Sequence, residues 1–171
     1  MGLFGRGRRV PDDVRSALPT SRGDRVLAEA ELVDGWAVAT GEGLHVLGTV
    51  EDADAVVSHP WHEVDGARLD AESGELTVTW VDGTAPTTVR LKDHRALTFP
   101  RVVRDRVQSS VVHREAVQVA GTTVRVALRR GPGGGLFTQV IGPGTVDLTD
   151  PVTASAIEEA ESRVREAAGL A

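Results

Sequence analysis

Few residues in this chain have the types and spacing to do chemistry. His59-Pro60-Trp61-His62-Glu63 sets two imidazoles and a carboxylate within five positions, a donor set that suits zinc. Pro60 makes the segment extended or turn-like, and residues three apart on a strand face opposite ways, so His59 and His62 are expected to diverge. A strand start with polar histidines is the preferred reading, and a metal-dependent enzyme at His59, His62 and Glu63 is the weaker alternative. Ser110 and His113 lie close together, but Ser110 falls inside an apolar stripe and no strained nucleophile turn surrounds it, so no hydrolase is expected. Gly131-Pro132-Gly133-Gly134-Gly135 has the glycine content of a phosphate cradle without the lysine and hydroxyl residue of a P-loop, and it precedes an apparent strand. It is read as a connecting loop.

The larger chemical feature is a block of arginines. Arg101, Arg104, Arg106 and Arg114, with Arg125, Arg129 and Arg130 further on, have the charge to form one cationic patch for nucleic acid or another anion. The alternative, which is preferred, is that they pair internally with acidic residues. Phe99 is the only aromatic residue between Trp80 and Leu136, so no base-stacking platform is evident and any nucleic-acid contact would be mainly to phosphate.

Composition narrows the classes further. The 171 residues contain no cysteine, which removes disulfide frameworks, thiolate metal sites and cysteine nucleophiles. Arginine outnumbers lysine 18 to 1 and tyrosine is absent, the signature of a GC-rich genome, so arginine abundance alone is no mark of nucleic-acid binding. Charge is uneven: residues 1–22 hold five Arg against two Asp, residues 23–100 five basic against 15 acidic groups, and residues 101–130 seven basic against two acidic. No run reaches the roughly 18 apolar residues of a membrane span. A soluble, cytoplasmic protein without cofactor is expected.

The elements that would position these groups are mostly strands. Met1 to Arg9 reads as a mobile tail, followed by a short helix after Pro11-Asp12-Asp13 that Pro19 stops. Short apolar runs broken by Gly and Asp predict antiparallel strands at Arg25–Leu32, Trp36–Thr40, Gly43–Leu47, Trp61–Leu69, Glu75–Val81 and Thr87–Leu91. Alternation of Leu76, Val78 and Trp80 predicts one apolar face, with Trp80 largely buried. Phe99, Val103, Val107 and Val111 then recur every four residues, predicting an amphipathic helix that starts near Pro100 and has ended by Val112. A hairpin turning at Ala120-Gly121, a third strand at Leu136–Ile141 and a final helix follow. That helix is capped by Asp150, entered through Pro151 and packs through Ile157, Ala160, Val164, Ala167 and Ala168.

Strands followed by one closing helix, with Gly23-Asp24-Arg25-Val26-Leu27-Ala28, Gly43-Leu44-His45-Val46-Leu47 and Pro60-Trp61-His62-Glu63-Val64 as strand openings, resemble the bacterial pleckstrin-homology-like domains. In that family an aromatic, an acidic and an aliphatic residue commonly open the strand corresponding to the third of these. The resemblance covers residues 23–112 and implies a curved antiparallel sheet or partly open barrel capped by a helix, serving as an interaction platform. Six strands are read where that fold usually has seven. It transfers no lipid-binding residues, because residues 31–42 hold Glu31, Asp34 and Glu42 with no lysine or arginine.

The expectation is therefore an α+β, mostly β chain in three parts: a basic tail and short helix (1–22), a capped β domain (23–112), and a three-stranded sheet with a C-terminal helix (113–171). Its expected role is a non-enzymatic interaction or scaffold protein whose partner is another protein. Nucleic-acid or anion binding through the arginine block is the alternative. The small-residue face of the last helix can dock on its own sheet or pair with a second copy, and docking within a monomer is preferred.

Overall fold

The computed structural model describes residues 9–48, 56–93, 95–144 and 146–170; most of the N-terminal tail lies outside them. The fold is α+β and mostly β, with three antiparallel sheets. Helix α1 (Asp12–Ser16) leads into a four-stranded meander, β1 (Val26–Leu32), β2 (Gly35–Thr40), β3 (Gly43–Leu47) and β4 (Val56–Pro60). A single 3-10 turn, Trp61–Glu63, passes to a three-stranded meander of β5 (Val64–Leu69), β6 (Glu75–Trp80) and β7 (Thr87–Arg90). Helix α2 (Thr98–Ser110) follows, then β8 (Val111–Val119), β9 (Thr122–Arg130), β10 (Leu136–Ile141) and α3 (Pro151–Ala167).

The first two sheets meet at one edge and around one core. Leu32 bridges Leu91, Val33 N–H donates to Arg90 O at 3.0 Å and Lys92 N–H to Glu31 O at 2.9 Å, so the end of β1 is stitched to the end of β7. Ala37 and Ala39 of β2, Leu44 of β3, Val64 of β5, and Leu76 and Val78 of β6 bury their side chains between the sheets. The predicted stripe of α2 closes that core with Phe99, Val103 and Val107. Period-2 burial from the sheets and period-4 burial from the helix thus converge on one apolar interior.

The outer face of the first sheet is covered by the N-terminal segment. Val10 and Leu18 pack on Val38 and Leu47, Val10 N–H donates to Glu29 Oε2 at 3.1 Å, and Arg15 pairs with the Glu29 carboxylate. The third sheet has its own cluster, in which Val126 and Leu128 of β9 pack on Ile157, Ala160 and Val164 of α3. Asp150 caps that helix by accepting from Thr153 N–H at 2.9 Å with Pro151 in its first turn, and Gly169 ends it in a left-handed conformation, φ +76°. Of the predicted face only Ala167 is exposed.

Four expectations need correction. There are seven strands before α2, because Val56–Pro60 forms β4, whose five residues include Ser58, His59 and Pro60 and so carry little apolar signal. The strand expected at Trp61–Leu69 begins only at Val64: Pro60 is the last paired residue of β4, and Trp61 N–H turns back to Glu42 O at 3.2 Å. Trp61, not Trp80, is the deeply buried tryptophan, its indole donating to Thr40 O at 3.0 Å, while Trp80 is half-buried beneath the ring of His59. Strand β8 begins at Val111, directly after the last helical residue, and is nine residues long, whereas the alternation of Val117 and Val119 before the Ala120-Gly121 turn predicts only its last part. The Ala120-Gly121 turn stands as expected, both residues at positive φ (48° and 78°), which matches the twist of the hairpin.

Docking of α3 within the monomer yields a prediction. Val164 is fully buried against the third sheet. Val164→Asp leaves a carboxylate without a partner there and should cost about 3 kcal/mol or more. A melting curve unchanged from wild type would contradict the packing.

Candidate functional site

Geometry separates the residues that the sequence groups. His59 Nδ1 lies 2.9 Å from Glu63 Oε2 and its ring stacks at 4.0 Å between centroids on Trp80, whereas His62 turns edge-on to Phe137 at 5.2 Å. The two imidazoles serve different neighbours. Among the described residues no group of three His, Asp or Glu side chains is placed to hold a metal ion, so the zinc alternative loses its donor set. Ser110 is buried and its hydroxyl donates to Val107 O at 2.7 Å while accepting from Arg129 Nη1 at 3.0 Å; His113 is exposed on β8. No nucleophile and base meet there.

The arginine block divides into two sets. Arg129 is 1% exposed; its Nη1 donates to Val64 O at 3.1 Å, Trp61 O at 3.5 Å and Ser110 Oγ. Its Nη2 lies 3.9 Å from Asp65 Oδ1. Burial holds the Arg129 pKa below its ordinary value, the Asp65 charge opposing that fall. Arg125 forms a two-point pair with Asp65 at 2.9 and 2.8 Å, which raises the Arg125 pKa above its ordinary value. Arg106 donates from Nη2 to Gly41 O at 2.7 Å. Arg125 and Arg129 are engaged within the fold, as internal pairing predicts for Arg125 and, in part, for Arg129, while Arg106 is held at one nitrogen only.

Arg101, Arg104 and Arg114 remain exposed and line one open cleft of about 970 Å³ between α2, β5 and the start of β8. Their convergence follows from spacing and topology. Arg101 and Arg104 are three apart on the solvent side of α2, opposite Phe99, Val103 and Val107, and the immediate exit of α2 into β8 brings Arg114 beside them. Arg68 of β5 joins them, a residue absent from the sequence-derived block because it sits in the acidic stretch, 33 positions before Arg101. None of the four is ion-paired with a described residue, and the single acid on the cleft, Asp65, is engaged by Arg125. Arg130 lies elsewhere, on a smaller hollow with Arg106, so the block is not one patch.

The floor of the cleft is apolar, built from Leu69, Leu76, Leu97 and Val107, and no Trp, Phe or Tyr lines it. Strand β5 pairs only with β6, which leaves its other edge as the edge of the sheet, and every residue from Asp65 to Leu69 borders the opening. A cationic rim, an apolar floor and a strand edge lie together.

A buried polar chain on the first sheet escaped the sequence reading. His45, 5% exposed, places Nδ1 2.8 Å from Ser58 Oγ and Nε2 3.2 Å from Thr40 Oγ1. Nearby Asp24 has buried carboxylate oxygens with no hydrogen-bond partner among the described residues. Only strand pairing of β2, β3 and β4 assembles these groups. Burial pushes the His45 pKa below 6.5, with Asp24 acting in the opposite sense. The unfolded chain therefore takes up a proton that the native state resists. His45 contributes stability that is full above about pH 6.5 and lost as pH falls through its native pKa, with a slope of at most about 1.4 kcal/mol per pH unit. Chemical denaturation between pH 5 and 8 should show this loss in wild type and less of it in His45→Gln; identical slopes would exclude the assignment.

No protein-family profile matches the chain, and no curated protein resembles it in sequence.

Proposed function

We propose that the chain is a non-enzymatic interaction module that docks an acidic, partly apolar polypeptide segment in the cleft between α2 and β5. The observation that carries this reading is the convergence of four guanidiniums, Arg68, Arg101, Arg104 and Arg114, none ion-paired among the described residues, on one apolar-floored opening whose one described acid is already engaged. Such a rim attracts carboxylates, the floor accepts aliphatic side chains, and the free edge of β5 offers backbone groups to an extended strand. Nucleic acid fits less well, since the cleft has cations but no Trp, Phe or Tyr on which a base could stack.

The same reading assigns residues 23–112 to a pleckstrin-homology-like platform and residues 113–171 to an extension packed beside it. Support comes from the order of elements: a four-stranded meander, a three-stranded meander and one helix across their shared core. The family's usual strand count is met by β1 to β7. Among the described residues no helix is long and apolar enough to cross a membrane.

Fluorescence anisotropy with a labelled peptide of alternating Glu and Leu, compared with a single-stranded oligonucleotide of equal charge, tests the proposal. The peptide should bind the more tightly and weaken as salt rises. Paired Arg101→Gln and Arg104→Gln substitutions should weaken it at least tenfold, on the order of 1.4 kcal/mol. Tighter binding of the oligonucleotide would move the function to nucleic acid, and peptide affinity indifferent to both arginines would remove the cleft from it.

A further inference from the structure

The glycine loop that lacks a P-loop lysine in sequence acquires cations in space. Gly131 to Gly134, between β9 and β10, form one wall of a hollow of about 220 Å³; Arg106, Ser109 and Ser110 from the end of α2, His62 from the 3-10 turn and Arg130 from β9 line the rest with Trp61, Gly41 and Glu42. It is separate from the arginine cleft: no residue lines both. Sequence separation hid it, because Arg106 and His62 stand 25 and 69 positions before Gly131.

We propose that this hollow is a binding site for a phosphoryl group, either inorganic phosphate or a small phosphomonoester. Two guanidiniums face one carboxylate, so the hollow favours an anion. Among the described residues Arg106 is tied at one nitrogen only, Nη2 to Gly41 O, and its Nε is buried with no acceptor, leaving donor capacity that no described group satisfies. Arg130 is exposed at the rim and in no ion pair with a described residue. Apart from Pro132, this wall has no side chains to keep a ligand from the backbone; Gly133 and Gly134 hold φ of 73° and 86°, and a Cβ built on either meets nothing within 4 Å. Ser110 is spent on Val107 O and Arg129, which leaves the Ser109 hydroxyl, now on Arg106 O at 3.1 Å, and the His62 ring as further polar groups lining the hollow.

Glu42 selects among anions. Its Oε1 accepts from Ser21 Oγ at 2.6 Å, which fixes the carboxylate on the wall beside the arginines. A fully ionised sulfate meets repulsion there. A phosphoryl group carrying one proton presents its P–OH to Glu42 as donor while its other oxygens accept from Arg106 and Arg130.

Titration followed by two-dimensional amide NMR of the full chain tests the site, with inorganic phosphate, phenyl phosphate and sulfate as probes at constant ionic strength. Phosphate should shift the amides of Gly131, Gly133 and Gly134 and of residues 106–110 saturably, and sulfate should bind at least tenfold more weakly. Arg130→Gln, at an exposed rim position, should cut phosphate affinity at least tenfold with an unchanged melting temperature, and Arg101→Gln in the other cleft should leave it unaltered. Phenyl phosphate binding tighter than phosphate would identify the ligand as an ester, and the reverse would identify it as the free ion. Sulfate binding as tightly as phosphate, shifts scattered over all arginine-bearing segments, or an Arg130→Gln titration superimposing on wild type would each overturn the assignment.

Discussion

A single buried guanidinium sets the relation between the two larger parts of this molecule. Arg129 projects from β9 and finds acceptors on three elements at once: the carbonyls of Trp61 and Val64 at the two ends of the 3-10 turn and the hydroxyl of Ser110 at the last turn of α2. Removing a guanidinium from water costs several kcal/mol, which these three contacts of Nη1 and the Asp65 charge offset in part, its Nε being buried with no acceptor among the described residues. The backbone between β4 and β5 therefore turns where Arg129 can use its carbonyls. In the same way α2 must end where its serine meets the fork, which is why Val111 passes into β8 without an intervening loop.

The position of the open cleft follows from that junction. Arg125, four residues before Arg129, shares its sheet face and reaches Asp65, the first residue after the Val64 carbonyl that Arg129 holds. This pair engages the acid that would otherwise balance the cleft. Arg68, Arg101, Arg104 and Arg114 are then left around an apolar floor without an ion pair among the described residues. The inward arginines order the fold and the outward ones remain for a partner, although all seven of the sequence block are chemically alike.

What was legible in the sequence was local. The cap and proline that open α3, the stripe of Phe99, Val103 and Val107, and the Ala120-Gly121 turn each depend on residues within a few positions, and the structure has them where spacing puts them. What was illegible depends on pairing. Strand β4 declares itself only through its register with β3, where Leu44 faces His59 and His45 faces Ser58. Trp61 is the more deeply buried of the two tryptophans because a turn, not a strand, carries it inward to Thr40. The cleft needed Arg68, and the glycine hollow needed Arg106 and His62. These associations come from topology, which period and composition do not encode.

The account rests on Arg129 coupling β9 to the turn before β5 and to the end of α2. Native-state hydrogen exchange of wild type and Arg129→Met tests that coupling most directly, because it reads each segment separately. Loss of the guanidinium should lower protection of Val64–Leu69 and Val107–Ser110 together with that of β9, by at least tenfold, while β1 and β2 keep theirs. A loss confined to β9 and α3, with β5 and α2 as protected as in wild type, would contradict it.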